Sequence, residues 1–348
     1  MHDHRKLGRE LNLFDTDPLM GAGLPYWLPD GAVLRHTLEE FVRDAERRAG
    51  YRHVYSPVLG KRELYEISGH WDHYSEDMFP PMGLGGEQVV LRPSLCPHHA
   101  LIYRSRAHSY RELPLRLAEL GGMYRSELSG VLGGLTRVRA IQLNDGHVFC
   151  TLDQVADEAR AALELIGRAY DTLGVRVARY RLSLPGEGGK YVADPGMWRR
   201  ASLQYVGADG SQHRPVMVHR AVIGSMERAV AHLIELYGGA FPAWLAPVQV
   251  VALPVSKAEV GEAEEFVRRC VERGLRAEAR GPEHGTLGAR VRSARLVPYQ
   301  AVIGPREATD GLVALRLRDG RRLDPLPAGE ALGRIKGVVV SRRGELWG

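Results

Sequence analysis

The rhythm of the chain changes between Pro242 and Pro247, and no other feature constrains the fold as much. Before that point, valine- and leucine-rich stretches at 87–91, 119–124, 138–143, 175–184 and 215–222 read as strands with few helices among them. Such a run predicts an antiparallel sheet backed on one side. Beyond it the pattern alternates: strand 248–253, helix 256–273, strand 275–279, helix 286–297, strands 299–303 and 312–317, then a last helix. Alternation of this kind predicts a parallel or mixed open sheet. The chain of 348 residues is long enough for two cores, and the two textures put the domains at 1–242 and 243–348, with the two prolines bracketing the linker.

Two helices stand out in the first part. Leu34, Leu38, Phe41, Val42, Ala45 and Ala49 share one helical face, and Gly50 supplies a left-handed stop. Thr151-x-x-Gln154 has the form of a capping box ahead of a helix burying Val155, Ala159, Ala162, Leu163, Ile166, Tyr170 and Leu173, which ends at Gly174.

No apolar run approaches the roughly 18 residues of a membrane span, and Met1-His2-Asp3-His4-Arg5 does not resemble a signal peptide, so a cytoplasmic protein with no membrane contact is expected. Three cysteines, Cys96, Cys150 and Cys270, without a CxxC among them, predict reduced thiols. The net charge is +5. From Pro247 onward there are 18 Lys and Arg against 13 Asp and Glu, leaving 29 of each sign before it. The excess positive charge in the last third fits contact with a polyanion such as RNA, and equally a well-solvated domain.

Arg125 and Glu127, one residue apart on an expected strand, point to one face, where a guanidinium clamps a phosphate and a carboxylate accepts an adenine amino proton. Gly224-Ser225-Met226-Glu227-Arg228 adds a cation at the start of a helix. Together they suggest a site for a bent nucleotide, although Arg-x-Glu alone also suits a solvated strand face. Gly83-Leu84-Gly85-Gly86 and Pro185-Gly186-Glu187-Gly188-Gly189-Lys190 read as turns, because Tyr191 follows Lys190 where a phosphate loop needs Ser or Thr. Cys96, His147 and His219 are too far apart for spacing to reveal a metal site, and each by itself reads as a buried structural residue.

Ser109-Tyr110-Arg111-Glu112-Leu113-Pro114-Leu115-Arg116, the Arg125-Ser126-Glu127 segment, Leu135-Thr136-Arg137-Val138-Arg139 and His219-Arg220-Ala221-Val222-Ile223-Gly224-Ser225-Met226-Glu227-Arg228 closely resemble motifs 2 and 3 of threonyl-tRNA synthetases, class II enzymes. The likeness begins at Asp3-His4-Arg5-Lys6-Leu7-Gly8. It passes through Gly69-His70-Trp71-Asp72 and Pro242-Ala243-Trp244-Leu245-Ala246-Pro247 into the C-terminal part.

The resemblance implies an α+β fold, a class II antiparallel sheet flanked by helices and followed by an α/β anticodon-binding-type domain. It implies a homodimer built on the first helix and the proline-containing strand at 51–59. The segments around Cys96, Asn144-Asp145-Gly146-His147 and Met217-Val218-His219-Arg220 align with those that supply the family's zinc ligands, implying Cys96, His147 and His219. Three protein ligands leave the ion room for a substrate amine and hydroxyl, which a valine methyl cannot replace. Asp145 resembles the aspartate that receives those two groups, and could otherwise cap a turn.

For ATP with magnesium, the resemblance assigns Arg125 to the α-phosphate, Glu127 to the adenine amino group, Arg137 to the outer phosphates and Arg228 to stacking on adenine. His70 resembles the histidine that helps deprotonate the terminal ribose 2′-hydroxyl of tRNA. The implied activity is an adenylate-forming ligase acting on threonine or a related β-hydroxy amino acid, with tRNA or another carrier as acceptor.

The sequence departs from the family in three ways. It starts at the catalytic domain, so no editing in cis is expected. A block of several dozen residues is missing between Met197-Trp198-Arg199-Arg200-Ala201 and Ser202-Leu203-Gln204-Tyr205-Val206-Gly207. Ser94, Leu95 and His98 stand around Cys96 where the family has Met, Asn and Gly, and Leu143 stands in place of a glutamine. The competing reading is a non-catalytic paralogue that binds tRNA, an amino acid or a synthetase partner. A resistance copy of the housekeeping enzyme is a further one.

Overall fold

Leu34, Leu38, Phe41 and Val42 are all buried along helix α1 (Pro29–Arg48), the stripe that their spacing predicts, and Gly50 closes the helix at φ +81°. Glu46 lies on the same stripe one turn beyond Val42 and is also fully buried, which an apolar pattern could not announce. The computed structural model describes residues 2–183 and 202–347. Two units emerge: Met1–Asp15, Trp27–Leu38 and His232–Gly348 form one, Thr16–Tyr26 and Glu39–Ala231 the other.

In the second unit a four-stranded sheet runs β1 (Arg52–His53), β2 (Leu115–Tyr124), β3 (Ala140–Cys150) and β4 (Val216–Ser225), neighbours in that order. All pairings are antiparallel except β1 with β2. On the front face Leu115, Leu117 and Phe149 pack with Tyr103 of helix α2 (Cys96–Arg104) and with Leu203. On the back, Arg116 forms a bidentate ion pair with Glu158 of helix α3 (Val155–Leu173), at 2.7 and 2.5 Å.

That pair turns α3 away from the expected orientation. Its buried residues are Glu158, Ala162, Leu165, Ala169 and Leu173, while Ala159 and Leu163 face solvent. Only half of the capping box forms: Gln154 Oε1 accepts the Thr151 N–H at 3.0 Å, but Thr151 Oγ1 is buried without a partner among the described residues. The strand expected at 175–184 does not form over 175–183, where Tyr180 and Leu182 are exposed and no described strand lies alongside; position 184 lies outside the described residues, as do 185–190 and 197–201. Arg125 and Glu127 follow β2 rather than lying within a strand.

In the other unit a five-stranded mixed sheet has the order β6 (Ala277–Ala279), β5 (Val250–Pro254), β7 (Tyr299–Ile303), β8 (Leu312–Leu317) and β9 (Leu326–Pro327). β5 is parallel to β6 and β7, and the remaining pairs are antiparallel. The helix expected at 256–273 opens with a short 3₁₀ turn capped by Ser256 and Glu259, then continues as Val260–Glu272. The one expected at 286–297 is shorter, Leu287–Ser293, and within it Arg290 is buried and donates to the carbonyls of Pro254, Arg280 and Gly285. The segment between the two prolines, read from sequence as a linker, is buried from Ala243 to Ala246.

Candidate metal centre and nucleotide cleft

The register of the sheet assembles a donor cluster from residues far apart in sequence. His219 on β4 pairs directly with His147 on β3, and Asp145, two residues earlier, lies on the same face opposite Glu119 of β2. Cys96 enters above this face as the first residue of α2. The ligand atoms of Cys96, Asp145, His147 and His219 all lie within 4.8 Å of one another. Cys96 Sγ is 3.2 Å from His219 Nδ1, which is 3.0 Å from His147 Nε2, while His219 Nε2 is 3.0 Å from Asp145 Oδ1. Asp145 and His147 are fully buried, and the His219 side chain, 45% exposed, is the member open to solvent.

Burial sets the electrostatics of this cluster. Burial, reinforced by the Asp145 carboxylate, pushes the Cys96 thiol up to about 12, and burial pushes Asp145 up to about 7. Burial likewise holds His147 and His219 below the usual imidazole range. Asp145 Oδ1 accepts the Gly146 N–H at 2.9 Å, but buried Oδ2 has no partner among the described residues. A thiolate, two imidazoles and a carboxylate are a zinc-type donor set, and the nitrogen and sulfur separations approach the tetrahedral edges of about 3.3 and 3.5 Å expected around such an ion. The residues present therefore fit zinc.

Sequence reasoning missed the supports beneath this cluster. His147 Nδ1 is 2.8 Å from His99 Nδ1, and His99 Nε2 is 3.2 Å from Glu119 Oε2. Glu119 in turn accepts from Arg92 at 2.9 Å and from Ser56 Oγ at 2.7 Å. Burial alone would raise the Glu119 carboxyl, but His99, Ser56 and Arg92 more than offset it and hold it at about 2. On the back face Glu46 binds Arg220 at 2.6 Å, Asn144 Nδ2 at 2.8 Å and His53 at 2.8 Å. Asn144 Oδ1 accepts the Val222 N–H at 3.0 Å, where the β3–β4 register shifts between Arg220 and Gly224. The available signal was charged residues within apolar runs, Arg92 and Glu119 above all.

The expected nucleotide residues form a second group. Arg137 and Glu127 bind each other, Nη2 to Oε2 at 2.7 Å, and Arg228 donates from Nε to the Thr136 carbonyl at 3.2 Å, which sets it beside Arg137. Arg228 is the third residue of helix α4 (Met226–Tyr237). Arg125 keeps β2 in line by donating its N–H to the Arg139 carbonyl at 3.0 Å, and its side chain is exposed. His70 follows Gly69, whose φ is +72°, and its Nδ1 lies 3.0 Å from Ser68 Oγ. Burial lowers the His70 imidazole, with Arg125 adding to the effect, so the two are electrostatic neighbours. Arg125, Arg137 and Arg228 are all exposed, and the neighbouring guanidinium groups of Arg137 and Arg228 are of a kind suited to a polyphosphate.

Residues 84–195 match the tRNA synthetase class II core domain (G, H, P, S and T), and residues 249–337 match the anticodon binding domain. The chain is 43% identical to a threonine–tRNA ligase of Geobacillus kaustophilus, over 90% of this chain and 57% of the relative, and 40% identical to one from Geobacillus sp. (strain WCH70), over 97% and 62%. It thus spans about 57–62% of the length of these curated relatives. The first alignment runs over 375 positions, more than the 348 residues of the whole chain, so the relative carries internal segments that this chain lacks. Among solved structures, one titled as the RNA binding domain of threonyl-tRNA synthetase from Cryptosporidium parvum superposes with a TM-score of 0.89 at 30% identity, covering 97% of this chain and 98% of that one.

Proposed function

Because this chain belongs to the threonyl-tRNA synthetase family of class II enzymes, we propose that it activates threonine or a related β-hydroxy amino acid with ATP and passes the acyl group to tRNA or another acceptor. One observation carries the reading: Cys96 Sγ, His147 Nε2 and His219 Nδ1 converge beside a buried oxygen of Asp145 that has no partner among the described residues. Cys96, His147 and His219 would hold zinc, which supplies a Lewis-acid site for a vicinal amine and hydroxyl. Asp145 Oδ2 would accept a hydrogen bond from the same substrate groups.

In activation a substrate carboxylate oxygen bonds to the α-phosphorus and pyrophosphate leaves. Arg125 would neutralise charge developing on the α-phosphate, Arg137 would hold the outer phosphates with magnesium, and Glu127 and Arg228 would seat adenine by hydrogen bond and stacking. The Arg137–Glu127 pair would have to open for the nucleotide. In transfer His70 would take the proton of the ribose 2′-hydroxyl. Its neutral imidazole, favoured by burial, is the form that accepts a proton.

Residues 1–242 would then be the catalytic part and 243–348 the tRNA-contacting part. A homodimer through α1 and the following segment is consistent with the exposed Tyr55, Val58 and Leu59. No helix among the described residues is long and apolar enough to cross a membrane. The similarity to threonine–tRNA ligases favours catalysis over a purely binding paralogue. Pyrophosphate exchange dependent on threonine, serine or a hydroxylated analogue, measured with zinc-loaded protein, is expected. Its absence with all of them sinks the proposal.

A further inference from the structure

We propose that His99, anchored by Glu119, is a positioning residue that fixes the His147 tautomer so that its Nε2 lone pair points at the metal position. The inference rests on the metal reading above and concerns residues with no assigned role in it. Glu119 accepts from Arg92 Nη2 and from the Ser56 hydroxyl, and Arg92 balances its charge, so the carboxylate acts as acceptor towards His99 as well. His99 Nε2 must then donate across the 3.2 Å contact.

A neutral imidazole that donates from Nε2 carries its lone pair on Nδ1. His99 Nδ1 lies 2.8 Å from His147 Nδ1, so His147 donates there and its Nε2 is left as the bare nitrogen. That nitrogen is the one 3.0 Å from His219 Nδ1. His219 is set in the same manner, because its Nε2 donates to Asp145 Oδ1 at 3.0 Å and its Nδ1 lone pair faces the cluster. Two lone pairs at 3.0 Å, with a sulfur 3.2 Å away, need a proton or a metal ion between them.

The chain of contacts is fully buried: His99 and His147 are at 0% exposure and Arg92 and Glu119 at 1% and 3%. Arg92 Nε also donates to the Gly122 carbonyl, which ties the relay to the backbone of β2. Glu119 and Asp145 pair across β2 and β3, so the relay and the cluster share one rigid register.

The test has two readouts. In zinc-free wild-type protein, long-range proton–nitrogen correlation of the imidazoles is expected to show the His147 proton on Nδ1. By competition with a chelator, His99→Leu is expected to bind zinc about 10- to 100-fold more weakly. His99→Asn, whose carbonyl oxygen can accept the His147 Nδ1 proton, is expected to keep most of the affinity. A His147 proton on Nε2 in wild-type protein, or unchanged zinc affinity in a folded His99→Leu, overturns the inference alone. A wild-type chain that takes up no zinc overturns the metal reading and this inference with it. The tautomer measurement needs no variant, so a His99→Leu that fails to fold does not remove the test.

Discussion

His147 and His219 face each other in register across β3 and β4, with Nε2 and Nδ1 3.0 Å apart. Seventy-two residues of sequence separate them, and a single pair of strands brings them together. A shift of one residue in that register would send one imidazole to the opposite face.

If this pair and Cys96 form the metal centre, removing the thiol must empty it. Cys96→Ala is expected to lower zinc content from about one ion per chain to near zero after dialysis against a mild chelator. Atomic absorption on the purified variant checks this, and full occupancy would show that Cys96 is not a ligand.

Gly121 lies where no side chain fits. A Cβ there would come 2.5 Å from Leu95 Cδ2, 2.6 Å from Arg92 Nη2 and 2.7 Å from Glu119 Oε1. Gly121→Ala is expected to destabilise the protein by about 1–3 kcal/mol, read as a lower midpoint in urea. A midpoint equal to wild type would mean that the Arg92–Glu119 pair is freer to move than its burial implies.

Glu46 gives the back face a pH dependence. Burial raises its carboxyl, but His53, Arg220 and Asn144 outweigh that and leave it below the ordinary 4.5. The unfolded carboxyl thus takes up its proton first as pH falls. The stability Glu46 contributes is complete above about 4.5 and is lost below it, towards the depressed native value. Urea midpoints measured from about pH 6 down to pH 3 should fall less steeply in Glu46→Gln than in wild type; parallel slopes would contradict this. At neutral pH the same variant leaves buried Arg220 without its counter-charge, at a cost of about 3–5 kcal/mol.

Arg125 and His70 should separate the two chemical steps. Arg125→Ala is expected to slow pyrophosphate exchange about 10²- to 10³-fold, through lost stabilisation of charge at the α-phosphate. His70→Ala should leave exchange near wild type and slow acyl transfer to tRNA by about 10²-fold or more. Equal losses in both assays for His70→Ala would assign it to activation or to structure rather than to transfer.

The sequence by itself determined the two textures, the buried stripe of α1, the mixed C-terminal sheet and the family, and through the family it pointed to Cys96, His147 and His219, which the fold brings together. These are legible because apolar periodicity and motif order are local along the chain. The orientation of α3 was not, because Glu158 takes a buried place through an ion pair with Arg116, 42 residues away, and turns the apolar stripe with it. Nor was the strand expected at 175–184, since apolar residues pair only where a neighbouring strand edge is offered.

Only the tertiary structure decided that His99, Glu119 and Arg92 stand behind His147, and that Glu46, Asn144 and Arg220 lock the register beneath it. The physical reason is that a buried polar group is tolerated through its partners, and those partners come from other strands and helices. Their side chains carry no periodic signal, so their roles exist only once β2, β3 and β4 are aligned.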